Sequence, residues 1–232
     1  MATVKIKKRK LKIKTIIMFL IIIVLIVYLC INVFGTLINS KIKNIYIIGN
    51  NILDDTEIME LAKIEDYPKI FKISSNEMER RIRTSPYIKS VDVKKRIGNQ
   101  VYIYIEEYNP LFYNNTNNNL VLENSKEVLL EEVFNDIPVL INEVNNEEIY
   151  KKLTNKFTKI DNSIKQKISE IKYDPNDVDK ERFLLTMNDG NYVYITLSKI
   201  EEINYYMDIL STLENKKGIL YLDSGKYFQI FQ

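Results

Sequence analysis

Few residues of the chain belong to the types that form catalytic centres or metal sites. The 232-residue sequence contains no histidine, and its one cysteine, Cys30, lies inside a long apolar run. These absences exclude Ser-His-Asp and Cys-His catalytic arrangements and histidine-based metal sites. The six glycines are widely scattered, so they form neither a phosphate-binding loop nor a nucleophile elbow. We therefore predict no catalytic residue, no cofactor and no metal.

Lysines and carboxylates are nevertheless plentiful, which leaves an enzyme open as an alternative. A Ser-Lys dyad or a pair of carboxylates is compatible with the composition. Glu106 and Glu107 form the most suggestive pair. Because neighbouring residues of a strand point to opposite faces of a sheet, we do not expect these two carboxylates to share a substrate. Solvated surface charge accounts for most such residues.

Aromatic residues gather near the carboxyl terminus. The chain has sixteen tyrosines, and Tyr221, Tyr227 and Phe228 lie close together in sequence. One interpretation is that they are ordinary strand residues with one side packed on the core. The other is that they anchor a recognition edge, because a terminal strand can pair with an incoming strand through its N–H and C=O groups. The residues alone leave both interpretations open.

A long uncharged stretch precedes all of these residues. Residues 15–40 carry no charge and lie between Lys14 and Lys41. About 20 apolar residues rising 1.5 Å each cover a hydrocarbon core of roughly 30 Å. A signal peptide has a shorter apolar region followed by a small-residue cleavage site, and neither feature is present. The stretch predicts an uncleaved transmembrane helix.

The flanking charge predicts the orientation of that helix. Residues 1–14 contain seven basic side chains and no acidic one, which by the positive-inside rule places the amino terminus in the cytoplasm and residues 41–232 outside. We predict a single-pass type II protein of the cell membrane. No second basic patch is evident in the sequence, so we predict no nucleic-acid partner. The topology residues are Lys5, Lys7, Lys8, Arg9, Lys10, Lys12 and Lys14.

The chain after the span first predicts a strand, two helices and a hairpin. The strand covers residues 43–48, and Asp54 or Asp55 caps a helix that buries Ile58 and Leu61. A capping box over residues 74–77 opens the second helix, which ends before Pro86. Val91 and Val93, then Val101, Ile103 and Ile105, alternate with polar residues around a turn at residues 96–99. This order predicts two helices covering one face of a three-stranded sheet.

The rest of the chain predicts a larger sheet with two helices. Strands are predicted at residues 168–173, 182–187 and 192–197. One helix is predicted by the spacing of Ile149, Leu153, Phe157, Ile160 and Ile164. A second helix is predicted to open with a capping box at residues 198–201 and to end at Gly218. Its predicted inward-facing residues are Ile200, Ile203, Met207, Leu210 and Leu213.

The order of these motifs resembles the FtsQ/DivIB family of bitopic bacterial division proteins, most closely the DivIB type of Gram-positive bacteria. The resemblance is carried by Ile48-Gly49-Asn50, Ser-Pro-Tyr-Ile at residues 85–88, the hairpin at residues 91–111 with Glu107 and Pro110, and the segment from Ile219 to Phe228. It implies an α+β fold with a transmembrane helix at residues 15–40 after a basic tail at residues 1–14. A β-α-α-β-β POTRA domain at residues 41–109 and a mainly antiparallel β domain with two covering helices at residues 110–232 follow. The resemblance also implies that the β domain opens with a hairpin at residues 120–129.

The resemblance also implies a function. Such a protein is a non-catalytic scaffold at the division septum that binds DivIC/FtsB-like and FtsL-like bitopic proteins and helps control the septal peptidoglycan synthase. We predict strand addition at the carboxyl-terminal edge. An anchored extracellular cell-wall enzyme and a POTRA-type envelope assembly factor are the alternatives. The predicted partner-binding residues are Tyr221, Leu222, Asp223, Lys226, Tyr227 and Phe228.

Overall fold

The computed structural model describes residues 13–129, 137–213 and 216–231. Helix α1, Ile13–Ile38, has no buried residue in its apolar window, and within those ranges it is the one helix long and apolar enough to cross a membrane. It matches the predicted span closely. Lys14 lies in its first turn, whereas the six basic residues from Lys5 to Lys12 lie outside the described residues.

The chain divides into two compact units. The first takes the residues up to Ser85 together with Ser90–Glu106, and the second takes Pro86–Lys89 and the chain from Glu107 onward. We treat each unit by itself.

The first unit contains the predicted β-α-α-β-β order after α1. Its sheet has the strand order β1-β3-β2, with β1 parallel to β3. The helices bury Ile58, Ala62, Met78 and Ile82 completely. The elements are β1 Asn44–Ile48, α2 Asp55–Ala62, α3 Ser75–Ile82, β2 Ile88–Arg96 and β3 Gln100–Glu107.

The two predicted helix starts in this unit have different outcomes. Asp54 caps α2 through a capping box, in which its carboxylate accepts from the backbone N–H of Glu57 and the Glu57 carboxylate accepts from the Asp54 N–H. The capping box predicted at Ser74 is wrong, because the Ser74 side chain makes no cap bond. The Glu77 carboxylate instead accepts hydrogen bonds from Arg80 and Arg81 at 2.7 and 2.9 Å. Two guanidinium groups thus hold the side chain that the capping box needs.

The second unit is built on a nine-stranded sheet in the order β12-β11-β10-β9-β8-β7-β4-β5-β6. Its neighbours are mainly antiparallel; β10 and β11, β7 and β8, and β4 and β7 are parallel. The first predicted hairpin and the three predicted strands are confirmed. The strands are β4 Pro110–Asn114, β5 Asn119–Leu122, β6 Glu127–Leu129, β7 Val139–Leu140, β8 Ile168–Tyr173, β9 Arg182–Met187, β10 Tyr192–Thr196, β11 Gly218–Tyr221 and β12 Tyr227–Ile230.

The first predicted helix of this unit is interrupted, although the apolar residues that predicted it are buried as expected. Helix α4, Glu147–Phe157, ends at Thr158, and a short α5, Asn162–Lys165, follows. Leu153, Phe157, Ile160 and Ile164 are nevertheless all buried in one core cluster. The buried face therefore continues from α4 into α5 across the interruption.

The second helical prediction is partly wrong. Leu197–Tyr205 is a 3₁₀ helix, and α6, Tyr206–Ser211, continues it. No capping box forms at Ser198, because the helix starts two residues earlier than predicted, with Thr196 rather than Ser198 at its N-cap position. A 3₁₀ helix has about three residues per turn, which shifts the buried face along the chain. Tyr206 is therefore 1% exposed whereas Met207 is 45% exposed.

The prediction that a helix ends at Gly218 is wrong, because Gly218 is the first residue of β11. A Cβ atom at this position would lie 2.0 Å from the carbonyl oxygen of Gln229 in β12. The glycine therefore permits a close approach of two strands rather than a helix end.

Gly49 supports a prediction on the stability of the first unit. Its φ is +95°, and a Cβ atom there would lie 2.2 Å from the carbonyl oxygen of Ile105. Gly98 has a similar φ of +88°, but its nearest neighbour lies 4.0 Å away. We expect Gly49→Ala to destabilise the β1–β3 pairing by about 2 kcal/mol more than Gly98→Ala, since overpacking adds to the shared backbone strain. Hydrogen exchange of the β1 and β3 amides measures the difference, and equal losses for the two variants would contradict it.

Candidate interaction surface

Strand β12 forms one edge of the nine-stranded sheet. It pairs with β11, and within the described ranges no strand lies on its other side. The pairing is antiparallel, with Tyr221 opposite Tyr227 and Leu220 opposite Phe228. The predicted recognition edge is therefore an edge in the structure.

The ladder of hydrogen bonds shows which backbone groups of β12 face outward. The Phe231 N–H donates to the carbonyl oxygen of Lys217 at 2.9 Å. Since hydrogen-bonded pairs alternate along an antiparallel ladder, Gln229 and Tyr227 direct their backbone groups toward β11. Phe228 and Ile230 direct theirs away from the sheet. These two residues offer the N–H and C=O groups that a further strand would need.

A row of stacked tyrosines crosses the last three strands on the face opposite the helices. The rings of Tyr194 and Tyr221 stack at 5.4 Å between centroids, and those of Tyr221 and Tyr227 at 4.4 Å. The register places the three residues side by side on β10, β11 and β12. Tyr227, at the edge, is 50% exposed. The row thus extends from the interior of the sheet to its border.

Arg182 of β9 closes the inner end of this row. Its guanidinium carbon lies 3.5 Å from the centroid of the Tyr194 ring, which is a cation–π contact. The same group donates to Asp223 at 2.8 Å and to Asp174 at 2.9 Å. Burial of Asp223 opposes its ionisation, but hydrogen bonds from Arg182 and Ser224 outweigh burial and hold the pKa of its carboxyl below the ordinary value. Asp223 therefore orients Arg182 against the tyrosine row.

The structure brings the six predicted partner-binding residues to one end of the sheet, but their exposure differs widely. Leu222 is 1% exposed and belongs to the core, and the Asp223 side chain is 8% exposed and paired with Arg182. Phe228 is half-buried against the core, and Tyr221 is half-buried within the tyrosine row. Lys226 is largely exposed and lies 3.4 Å from Glu202. Of the six predicted residues, Lys226 and Tyr227 are the two whose side chains extend well into solvent.

Sequence reasoning missed three exposed apolar or aromatic residues beside this edge. Tyr192, Ile230 and Phe231 are exposed, and the rings of Tyr192 and Phe231 meet edge to face at 6.0 Å between centroids. The period-two alternation of β10 placed Tyr192 on the same face as Tyr194, and this signal could have identified it. Ile230 and Phe231 required the register of β12.

Across residues 13–129, 137–213 and 216–231, no group of three or more Cys, Asp or Glu side chains is placed to hold a metal ion. Glu106 and Glu107, the pair considered from the sequence, are consecutive residues of β3, and Glu106 accepts a hydrogen bond from Ser90 at 3.1 Å.

Comparison with known proteins identifies the family. Residues 40–108 match the model of the POTRA domain, FtsQ-type. The chain is 33% identical over 195 residues to the cell division protein DivIB of Bacillus cytotoxicus, covering 82% of this chain and 76% of that protein. It is also 33% identical over 199 residues to the cell division protein DivIB of Bacillus subtilis, covering 83% and 75% of the two chains. This chain belongs to the DivIB family of cell division proteins.

The predicted resemblance to that family is thus confirmed. A solved structure, the major extracytoplasmic domain of the trans isomer of DivIB from Geobacillus stearothermophilus, aligns with 47% of this chain and 96% of its own length. Its TM-score is 0.40 at 23% identity. The DivIB assignment rests on the sequence relatives.

The Arg182–Asp223 pair of this DivIB-family chain supports a prediction on pH dependence. We expect Asp223→Asn to lower the free energy of unfolding by about 2 kcal/mol at neutral pH, because it removes a charge-assisted hydrogen bond. The folded pKa of Asp223 lies below the ordinary carboxyl value of 3.8. The stabilisation is therefore present above that value and is lost as the pH falls through the folded pKa.

Urea unfolding of the full chain in detergent, followed by tyrosine near-ultraviolet circular dichroism, measures this effect. Asp177→Asn is the matched control, because Asp177 is fully exposed and lies 3.8 Å from Lys180. A difference between the original chain and Asp223→Asn that stays constant from neutral to acid pH would contradict the assignment.

Proposed function

We propose that the chain is a non-catalytic, membrane-anchored scaffold of the bacterial division complex. In this proposal, β12 accepts a strand from a bitopic partner of the DivIC/FtsB type, and the complex also includes an FtsL-like protein. The observation that carries the proposal is the open edge of β12 beside the tyrosine row. Residues 41–109 and 110–232 are the two working domains.

The chemistry of the edge favours strand addition. Proteins commonly protect sheet edges with lysine, proline or inward-pointing charge, because an open edge invites pairing with another chain. Strand β12 has the sequence Tyr-Phe-Gln-Ile and contains none of these. At the other edge of the sheet, β6 carries an acidic residue, Glu127, whose carboxylate accepts hydrogen bonds from Asn117, Asn119 and Tyr150. The two edges therefore differ, and β12 is the better acceptor.

The side chains around β12 supply anchors for such a strand. Tyr227, Ile230 and Phe231 are 50%, 49% and 44% exposed. Aromatic residues concentrate binding energy at interfaces, and a stacked ring is already ordered before the partner arrives. Lys226 adds a charge at the rim, where it affects specificity and association rate more than affinity. Leu222 and Asp223 act indirectly, by holding the strand end and Arg182 in place.

The membrane topology and location follow from the same proposal. The basic residues before α1 favour a cytoplasmic amino terminus, which places both domains outside the membrane. Binding of division partners there would concentrate the protein at the septum and couple it to control of septal peptidoglycan synthesis. The chain contributes contacts to this process rather than a reaction.

Substitution of Ile230 tests strand addition directly. Ile230→Pro removes the side chain and an outward N–H while sparing the ladder to β11, whereas Ile230→Ala removes the side chain and keeps the N–H. We expect the proline variant to bind the DivIC-type partner about tenfold more weakly than the alanine variant, since one intermolecular hydrogen bond is lost. Titration of the full chain in detergent with the purified partner measures both affinities. Equal affinities for the two variants would reject strand addition.

A fluorescent fusion at the amino terminus tests the location. We expect a band at mid-cell in the native host, and we expect the band to weaken for the fusion that carries Ile230→Pro. The control is a fusion that ends at residue 43, which should label the whole membrane. A uniform signal from a functional full-length fusion would contradict septal recruitment.

A further inference from the structure

We propose that the end of the first domain next to α1 docks on the anionic phospholipid headgroups of the membrane that α1 enters. This surface, the juxtamembrane patch, is separate from the strand β12 edge and does not depend on the partner proposed there. Its basic members are Lys41, Lys43, Lys69, Lys72 and Arg96, and its apolar members are Phe71 and Ile97.

The chain leaves α1 directly into this patch. Helix α1 ends at Ile38 and β1 begins at Asn44, so the five residues between them reach at most about 17 Å. The Lys69 ammonium donates to the Asn39 side-chain oxygen at 2.6 Å. Because Asn39 immediately follows α1, that ammonium lies at the level of the headgroups when α1 spans the bilayer.

Two further segments are hydrogen-bonded to residues 39–43, which connect α1 to β1. The Ile70 N–H donates to the Ser40 carbonyl oxygen, and the Ile42 N–H donates to the Pro68 carbonyl oxygen, each at 3.0 Å. The Lys43 N–H donates to the carbonyl oxygen of Asn99 in the β2–β3 turn at 2.9 Å. The loop at residues 67–73 and the turn at residues 97–99 are therefore fixed at the end of the domain nearest α1.

Both segments present an apolar side chain to solvent. Ile97 is 100% exposed, and Phe71 is 62% exposed although its neighbour Ile70 is buried. The Lys95 ammonium donates to the carbonyl oxygens of Ile70 and Ile73, which ties the loop to β2. The exposure of Phe71 thus belongs to a loop that is held in place. Apolar side chains among cations suit shallow insertion between phospholipid headgroups.

The charge of the patch has the sign that anionic lipid requires. Residues 39–43, 65–73 and 96–99 contain five basic side chains and two acidic ones, Glu65 and Asp66. These basic residues are scattered along the chain, so the sequence alone showed no second basic patch; the fold assembles one. Each lysine or arginine near an anionic surface adds to the attraction, which falls off within a Debye length.

The attachment to α1 makes the docking intramolecular. The connection keeps the patch near the bilayer at a high effective concentration, so weak contacts suffice for docking. Docking through three separate segments would fix the tilt of the first domain relative to the membrane plane. The domain would then stand in one orientation instead of pivoting on residues 39–43.

Spin labels in the full chain test this inference. The chain carries Cys30→Ser and one labelled cysteine, either Ile97→Cys in the patch or Thr56→Cys in the first turn of α2, past the opposite end of β1. It is reconstituted in nanodiscs of phosphatidylcholine alone or of phosphatidylcholine with phosphatidylglycerol. Collision rates with membrane-soluble oxygen and with a water-soluble nickel chelate report the surroundings of each label.

We expect the label at position 97 to shift toward oxygen and away from nickel only in discs that contain phosphatidylglycerol, and the label at position 56 to stay in water in both. Raising the ionic strength from about 0.1 M to about 1 M shortens the Debye length from about 10 to about 3 Å and should reverse the shift. A label at position 97 that stays in water in both lipids, or that is equally protected in both, would overturn the inference.

A charge-matched pair of variants completes the test. Lys41→Gln, Lys43→Gln and Lys72→Gln together remove three exposed cations from the patch, and we expect them to abolish the phosphatidylglycerol-dependent shift. Lys151→Gln, Lys159→Gln and Lys180→Gln remove the same charge from exposed positions in the second unit and should leave the shift unchanged. An equal effect of the two sets would show that only net charge matters and would also overturn the proposed patch.

Discussion

The structure depends on one constraint: in each domain, helices cover a single face of the sheet, and the period-two alternation of the strands assigns every side chain to the covered or the open face. In the first domain, Tyr46 and Tyr102 are register partners that stack at 4.6 Å on the open face, while Val101 and Ile103, on either side of Tyr102 in β3, are buried on the other face. In the second domain, Tyr194, Tyr221 and Tyr227 occupy the open face in the same way. These five tyrosines thus share a structural cause, because an open sheet face suits a side chain that is apolar along its ring and polar at its tip.

Alternation also explains which parts of the fold the sequence could predict. The bounds of β8 and β9 were predicted to the residue, because each strand has one buried face and turn residues at its ends. The helix starts were harder, since a Ser-x-x-Glu pattern is present at both Ser74 and Ser198 but neither forms a cap. The spacing does not reveal that Arg80 and Arg81 compete for the Glu77 carboxylate. It also does not reveal that the helix after Thr196 has 3₁₀ rather than α geometry. The parallel pairing of β10 with β11 joins segments separated by a helix and was equally hidden.

The candidate site shows the same division between local and long-range information. The sequence placed an aromatic cluster at the end of the chain, but only the register separates Leu222, which is in the core, from Tyr227, which is half in solvent. Asp223 is among the predicted partner-binding residues. Within the chain it pairs with Arg182, which is 41 residues away in sequence and reaches it across the sheet. Pairings of this kind depend on the complete strand order, which local patterns do not determine.

The glycine at position 218 has a consequence for genetics. A Cβ atom there would meet the Gln229 carbonyl oxygen at 2.0 Å and a ring carbon of Phe228 at 2.9 Å, so any replacement must push β12 away from β11. A survey of random substitutions scored by division phenotype would therefore rank this position with the residues of the edge, although it has no side chain to contact another protein. A phenotype mapped to codon 218 would report a misplaced strand, and it should not be counted as evidence of direct contact.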